Sequence, residues 1–123
     1  MPKKVLLVDD SNTALLMEQM ILNQRTHYDL VTAQNGLEAV EKSVSERPDL
    51  ILMDVVMPQM DGFRACEEIR KNLSTREIPI ILVTTRGEAD FVETGFNCGC
   101  NDFITKPLNP SELVQLVKNY LEE

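Results

Sequence analysis

The sequence predicts an α/β fold, a three-layer sandwich in which one parallel sheet lies between two layers of helices. Three observations predict it. Five short apolar runs alternate with five helix-like stretches. Several of those runs are apolar at every position, as in strands covered on both faces. The alternation itself calls for parallel neighbours joined by right-handed crossovers. With 123 residues, 43% hydrophobic and 26% charged, the chain fits a single domain over 1–123. A domain of that size buries a core without help from a disulfide or structural metal.

The first run, Val5 to Val8, follows Lys3 and Lys4 and stops at Asp9 and Asp10. In the helical stretch after it, Met17, Met20 and Ile21 read as core. The second run is Leu30 to Ala33. Asn35 then precedes Glu38 by three positions, as in a capping box, and Leu37, Val40 and Val44 share a helical face that ends before Pro48. Leu50 to Met53 is the third run and ends in Asp54. Asp61 and Gly62 read as a turn leading to a third helix whose face is Cys66, Ile69 and Leu73. Ile80 to Val83 ends in Thr84; Ala89, Val92 and Phe96 form the next helical face, and Gly99 supplies a left-handed turn after it. Phe103 to Thr105 is the fifth run and ends in Lys106 and Pro107. Asn109, Pro110 and Glu112 start the last helix, on which Leu113, Leu116, Val117 and Tyr120 recur at i, i+3, i+4 and i+7.

Charge and composition narrow the function. Twelve Lys+Arg against 20 Asp+Glu give a formal net charge of −8, which argues against nucleic acid or an anionic membrane as partner. No apolar run approaches membrane-spanning or signal-peptide length, so a cytoplasmic protein is expected. Cys66, Cys98 and Cys100 are an odd count without disulfide density, and Cys-x-Cys with one distant His27 makes a poor zinc site. The thiols read as small packing groups and His27 as a solvated loop residue.

Ligands in such a sheet gather beyond the carboxyl ends of the strands. If the first and third strands are neighbours, Asp9, Asp10 and Asp54 meet there. Three carboxylates repel one another unless a cation is present, and hard oxygen ligands suit Mg²⁺. The plain alternative is that Asp9 and Asp10 cap the first helix and Asp54 is solvated. Thr84 and Lys106 at the same edge weigh against it, because a hydroxyl and an ammonium complete a phosphoryl site.

Asp9-Asp10, the run Asp54-x-x-Met57-Pro58-x-Met60-Asp61-Gly62, Thr84 and Lys106-Pro107 together resemble the receiver domain of bacterial two-component response regulators, the CheY-like family. The likeness covers essentially the whole chain and includes the spacings 44, 30 and 22 between Asp10, Asp54, Thr84 and Lys106. It implies the strand order 2-1-3-4-5 and a phosphorylation-dependent switch. Asp54 would accept a phosphoryl group from a sensor histidine kinase. Asp10, Asp54 and the backbone carbonyl of Val56 would hold Mg²⁺, with Asp9 acting mainly through water. Lys106 would pair with Asp54 and the phosphoryl oxygens, and its bond to Pro107 would be cis. Thr84 would move toward the phosphoryl group and Phe103 would turn inward. The fourth helix, fifth strand and fifth helix would then present an altered surface to a downstream protein effector, with a phosphorylation-dependent dimer left open.

Departures from the family pattern lie at Val56, which cannot orient water, at Thr85, bulkier than usual, and at Arg86, long enough to reach over the site. The resemblance implies that the positions of Val56 and Arg86 tune phosphoryl lifetime, with slow hydrolysis expected, and that Thr85 narrows access for small phosphodonors. The rival readings are a haloacid dehalogenase-type phosphatase, a flavodoxin-like cofactor binder and a phosphorylation-independent adaptor. The first needs a second Asp where Val56 stands. The second needs a phosphate-cradling loop where Asp9 and Asp10 stand. The third typically lacks an acid or the Lys that this chain keeps. A stand-alone receiver and the receiver part of a longer regulator both fit.

Overall fold

The backbone is fixed by local chemistry before any long-range contact is considered. Ser11, Asn35, Asp61 and Asn109 each accept, on the side chain, a hydrogen bond from the N–H three residues on, and these four caps set where helices begin. The computed structural model describes residues 2–85 and 89–122. Its elements run β1 (Lys4–Val8), α1 (Asn12–Arg25), β2 (Asp29–Ala33), α2 (Gly36–Ser45), β3 (Leu50–Asp54), α3 (Gly62–Lys71), β4 (Ile80–Thr84), α4 (Ala89–Cys98), β5 (Asp102–Thr105) and α5 (Pro110–Leu121).

The strands form one parallel sheet in the order β2-β1-β3-β4-β5. Alternate residues along each central strand enter opposite cores, as a side-chain period of two demands. Val5, Leu7, Leu50, Leu52, Ile81 and Val83 pack with Leu15, Leu22, Leu113 and Val117 of α1 and α5. Leu6, Val8, Ile51, Met53, Ile80 and Leu82 pack on the other face with Ala39, Ala65, Cys66 and Ile69 of α2 and α3. Strands buried on both faces explain why the apolar runs are continuous. Among the described residues no helix is long and apolar enough to cross a membrane.

Three expected helix faces are corrected. Met17 and Met20 are exposed, and the buried stripe of α1 is Leu15, Glu18 and Leu22. This helix carries apolar residues on every side, so the pattern does not orient it; packing puts Leu15 and Leu22 inward and carries Glu18 between them. On α2 the inward residues are Gly36, Ala39 and Ser43, while Leu37 and Val44 face outward. The N–H of Gly36 donates to the Met60 carbonyl at 3.1 Å, which pins the first turn against that loop, and Val40 packs partly against the core beside Ala39. Leu73 lies past the end of α3 and is exposed. Gly99 has φ of 102°, the left-handed turn expected after α4.

At the end of the sheet remote from the strand carboxyl ends, Arg70 ties three segments together. Its guanidinium donates to the carbonyls of Gly99 at 2.8 Å and Ile78 at 2.7 Å and to Asn101 Oδ1 at 2.8 Å. Charge-assisted bonds to otherwise unsatisfied carbonyls fix α3 against the ends of β4 and β5.

Candidate functional site

Sheet register brings distant residues to one edge. Val8 pairs with Met53, Asp54 with Val83, and Thr84 with Thr105, so the residues just beyond β1 and β5 meet the last residues of β3 and β4. Backbone bonds continue the ladder past the strand ends: Asp9 N–H to Ala33 O at 3.1 Å, Val55 N–H to Val83 O at 3.0 Å and Lys106 N–H to Thr84 O at 2.8 Å. This rigid backbone positions Asp9, Asp54, Thr84 and Lys106.

The carboxylates of Asp9, Asp10 and Asp54 each offer an oxygen, and these oxygens lie within 4.8 Å of one another. Asp9 is 1% exposed and Asp54 9%, while Asp10 is open to solvent. Lys106 Nζ donates to Asp9 Oδ2 at 2.9 Å and lies 3.5 Å from Asp54 Oδ2. Asp9 Oδ1 accepts from the Ser11 N–H at 2.9 Å, so this acid also braces the start of α1. The Lys106–Pro107 peptide bond is cis.

Among the described residues three acids share one ammonium, an excess of two negative charges when all three ionise. Burial raises the Asp54 pKa above its ordinary value and Asp9 adds to that; Lys106 and the N–H of Val56 pull the other way without cancelling it. Burial works against the Lys106 charge, but its hydrogen bond to Asp9 and the charges of Asp54 and Asp9 win, so its pKa is raised. The site is held short of positive charge, and a divalent cation would supply two units. The donor set is all carboxylate oxygen, which fits Mg²⁺ better than a metal that prefers nitrogen or sulfur.

The other expected site residues fall around this cluster. Thr84 is buried at the end of β4, and Thr85 beside it is exposed. Val56, 68% exposed, presents an aliphatic side chain two residues beyond Asp54. Phe103 is half-buried on β5 and packs edge-on against Phe96 of α4, ring centroids 5.7 Å apart. Its ring lies so close to α4 that a Cβ at Gly95 would sit 2.3 Å from Phe103 Cζ, so this approach requires glycine. Arg86 lies outside the described residues. Cys66 and Cys100 are buried and Cys98 half-buried, and burial raises all three thiol pKa values.

The sequence reads Asp61 only as a turn residue and passes over Glu18. Asp61 is the N-cap of α3, accepting from the Arg64 N–H at 2.9 Å, rather than only a turn residue. Glu18 is 2% exposed, and among the described residues its Oε1 has no hydrogen-bond partner. Burial, then Asp9 and Asp54, raise its pKa to about 8 against the pull of Lys106. An acid between Leu15 and Leu22, three residues after one and four before the other, was the available signal.

Residues 5–118 match the family described as Response regulator receiver domain, and the chain belongs to it. The alkaline phosphatase synthesis transcriptional regulatory protein PhoP of Bacillus subtilis is 37% identical over 121 residues, covering 98% of this chain and 49% of that protein. This chain therefore spans about half the length of that relative. The chemotaxis protein CheY4 of Vibrio cholerae superposes with a TM-score of 0.92 at 32% identity, over 98% of this chain and 99% of that one. The receiver domain of the sensor histidine kinase PA1611 of Pseudomonas aeruginosa, solved with a magnesium ion coordinated in its active site cleft, gives a TM-score of 0.91 at 28% identity with both chains fully covered. Receiver domains are signalling modules of two-component systems that interact with histidine kinases and downstream effectors and bind Mg²⁺ at their acidic site.

Proposed function

We propose that residues 1–123 act as one receiver unit in which Asp54 takes a phosphoryl group from a phosphohistidine of a sensor kinase. The observation that carries this reading is the convergence of Asp9, Asp10 and Asp54 within 4.8 Å, with Lys106 bonded to the buried acids. A carboxylate oxygen of Asp54 attacks phosphorus as the P–N bond breaks. The imidazole nitrogen keeps the bonding electron pair, and the product is an acyl phosphate on Asp54. Asp10, Asp54 and the carbonyl of Val56 would hold Mg²⁺, with Asp9 contributing mainly through water, and the ion would supply positive charge to the phosphoryl oxygens. Lys106 turns its ammonium from Asp54 to a phosphoryl oxygen, which replaces the carboxylate charge it loses.

Phosphorylation adds about −1.5 to −2 charge and three strong acceptors at this point. Thr84 donates its hydroxyl to one of them, and Phe103 fills the space that the threonine leaves. The α4-β5-α5 face then changes for a protein effector, by a population shift that needs only a few kcal/mol of differential contact. Nucleic acid and membranes are not partners of this unit. Thr85 and Arg86 tune access and lifetime. Val56 offers no group to activate water, so the acyl phosphate outlives that of a phosphatase and turnover chemistry is not its task.

Beryllofluoride with Mg²⁺ tests the switch. Amide resonances of Thr84, Thr85, Phe103 and α4 should move together in the wild type and stay in place in Asp54→Asn. An unaltered wild-type spectrum would sink the proposal.

A further inference from the structure

The loop from β3 to α3 carries Val56, whose carbonyl is the proposed backbone ligand for the cation and whose N–H stabilises the Asp54 carboxylate. The base of this loop is fixed. Val55 donates its N–H to Val83 O at 3.0 Å and accepts on its own carbonyl from the Gly62 N–H at 2.8 Å. The tip is held differently. The Met60 N–H donates to the Pro58 carbonyl at 2.7 Å and so closes a three-residue turn around Gln59, whose φ is 69°. That conformation is disfavoured for a residue with a side chain, and turns of this kind are rare and strained. Among the described residues the exposed Gln59 side chain makes no hydrogen bond that offsets the strain, so the surroundings must hold the turn. Met57 and Met60 pack on the core beneath it. A polar contact comes from another element: the Gly36 N–H, in the first turn of α2, donates to the Met60 carbonyl at 3.1 Å. The approach excludes any side chain there, because a Cβ on Gly36 would lie 2.2 Å from the Met60 oxygen and 2.9 Å from its carbonyl carbon.

We propose that Gly36 is a positioning residue for the phosphoryl site: its N–H, at an approach only glycine allows, holds the β3–α3 loop in the strained turn that sets Val56 beside Asp54. This deepens the receiver reading and rests on it, since the Val56 carbonyl matters only if a cation is taken up at the acids. The coupling runs along a short stretch of backbone. Val55 cannot follow a displaced loop, because β4 and Gly62 hold it, so a shift at Met60 is taken up between Val56 and Gln59. A side chain at position 36 would thus act on the site without touching it.

The test is a Mg²⁺ titration of the whole ¹⁵N-labelled chain, followed at the amides of Val55 and Val56, with the metal-free spectrum as a second readout. Gly36→Ala should shift the metal-free amides of Val56, Met57, Gln59 and Met60 and leave those of α1 and α5 in place. It should weaken Mg²⁺ about tenfold, the lower end of what loss of an outer support costs a metal site. Gln59→Gly takes up the left-handed turn without steric cost and, added to Gly36→Ala, should win back roughly threefold, half the loss in free energy. An alanine that merely loosened α2 would not be rescued from that distance. Gln59→Val leaves α2 untouched and resists positive φ, so it should weaken Mg²⁺ in a chain whose fold does not depend on any change at Gly36. Wild-type affinity in Gly36→Ala or in Gln59→Val, or a loss that Gln59→Gly does not reduce, would overturn the positioning role and leave the receiver reading standing. Wild-type protein that takes up no Mg²⁺ would overturn both.

Discussion

The pH dependence of folding should expose Glu18 directly. Its carboxyl has an ordinary value of 4.5 and is pushed to about 8 in the fold, first by burial. Between those values the native state keeps a proton that the unfolded chain releases. Native protein therefore binds more protons than unfolded, and stability falls as pH rises through this window and levels off above about pH 8. Each pH unit costs about 1.4 kcal/mol, so moving from pH 5 to pH 7 should cost about 3 kcal/mol through this one group. That is a large share of a typical domain's 5–15 kcal/mol, roughly. Glu18→Gln cannot titrate and should escape the loss. Urea unfolding of both proteins in EDTA at several pH values isolates the effect, because the acids remote from Glu18 are common to both and cancel in the difference. The stability gap between variant and wild type should shift in favour of the variant by about 3 kcal/mol over two pH units. A gap constant across that range would show that Glu18 titrates as an ordinary acid and that the buried unpaired carboxyl is misjudged.

Two other perturbations follow from the same site. Lys106→Met leaves Asp9 and Asp54 without their ammonium, and because Lys106 is partly exposed the loss should be about 2 kcal/mol in EDTA, below the cost of breaking a fully buried pair. Millimolar Mg²⁺ should recover more thermal stability in Lys106→Met than in wild type; equal recovery would mean that cation and lysine do not answer the same charge deficit. Gly95→Ala places a methyl 2.3 Å from Phe103 Cζ and should turn the ring off α4. Unchanged Phe103 ring resonances in that variant would contradict the packing of Phe96 on Phe103.

The strands were legible because β1, β3 and β4 are buried on both faces, so their apolar runs are uninterrupted and end sharply at Asp9, Asp54 and Thr84. Asn35 and Asn109 were legible as caps for an equally local reason, the Glu three positions on. Rotation of helices was not. Apolar side chains surround α1, and only packing against β1 and β3 decides that Leu15 and Leu22 turn inward with Glu18 while Met17 and Met20 turn out. On α2 the inward stripe is small rather than apolar, which a reading of Leu37 and Val44 passes over. The acids and Lys106 could be seen as strand-end residues, but their meeting depends on β1 lying beside β3 in a set register. The bonds of Arg70 to the carbonyls of Ile78 and Gly99 depend on backbone positions that no side-chain pattern reveals.

Covalent labelling tests the central claim most directly. Acetyl phosphate and Mg²⁺ should add one phosphoryl group per chain, and peptide mapping after borohydride trapping should place it on Asp54, with labelling lost in EDTA and in Asp54→Asn. Labelling that persists in Asp54→Asn at full extent, or that maps away from the rim formed by Asp9, Asp10 and Lys106, would contradict the account.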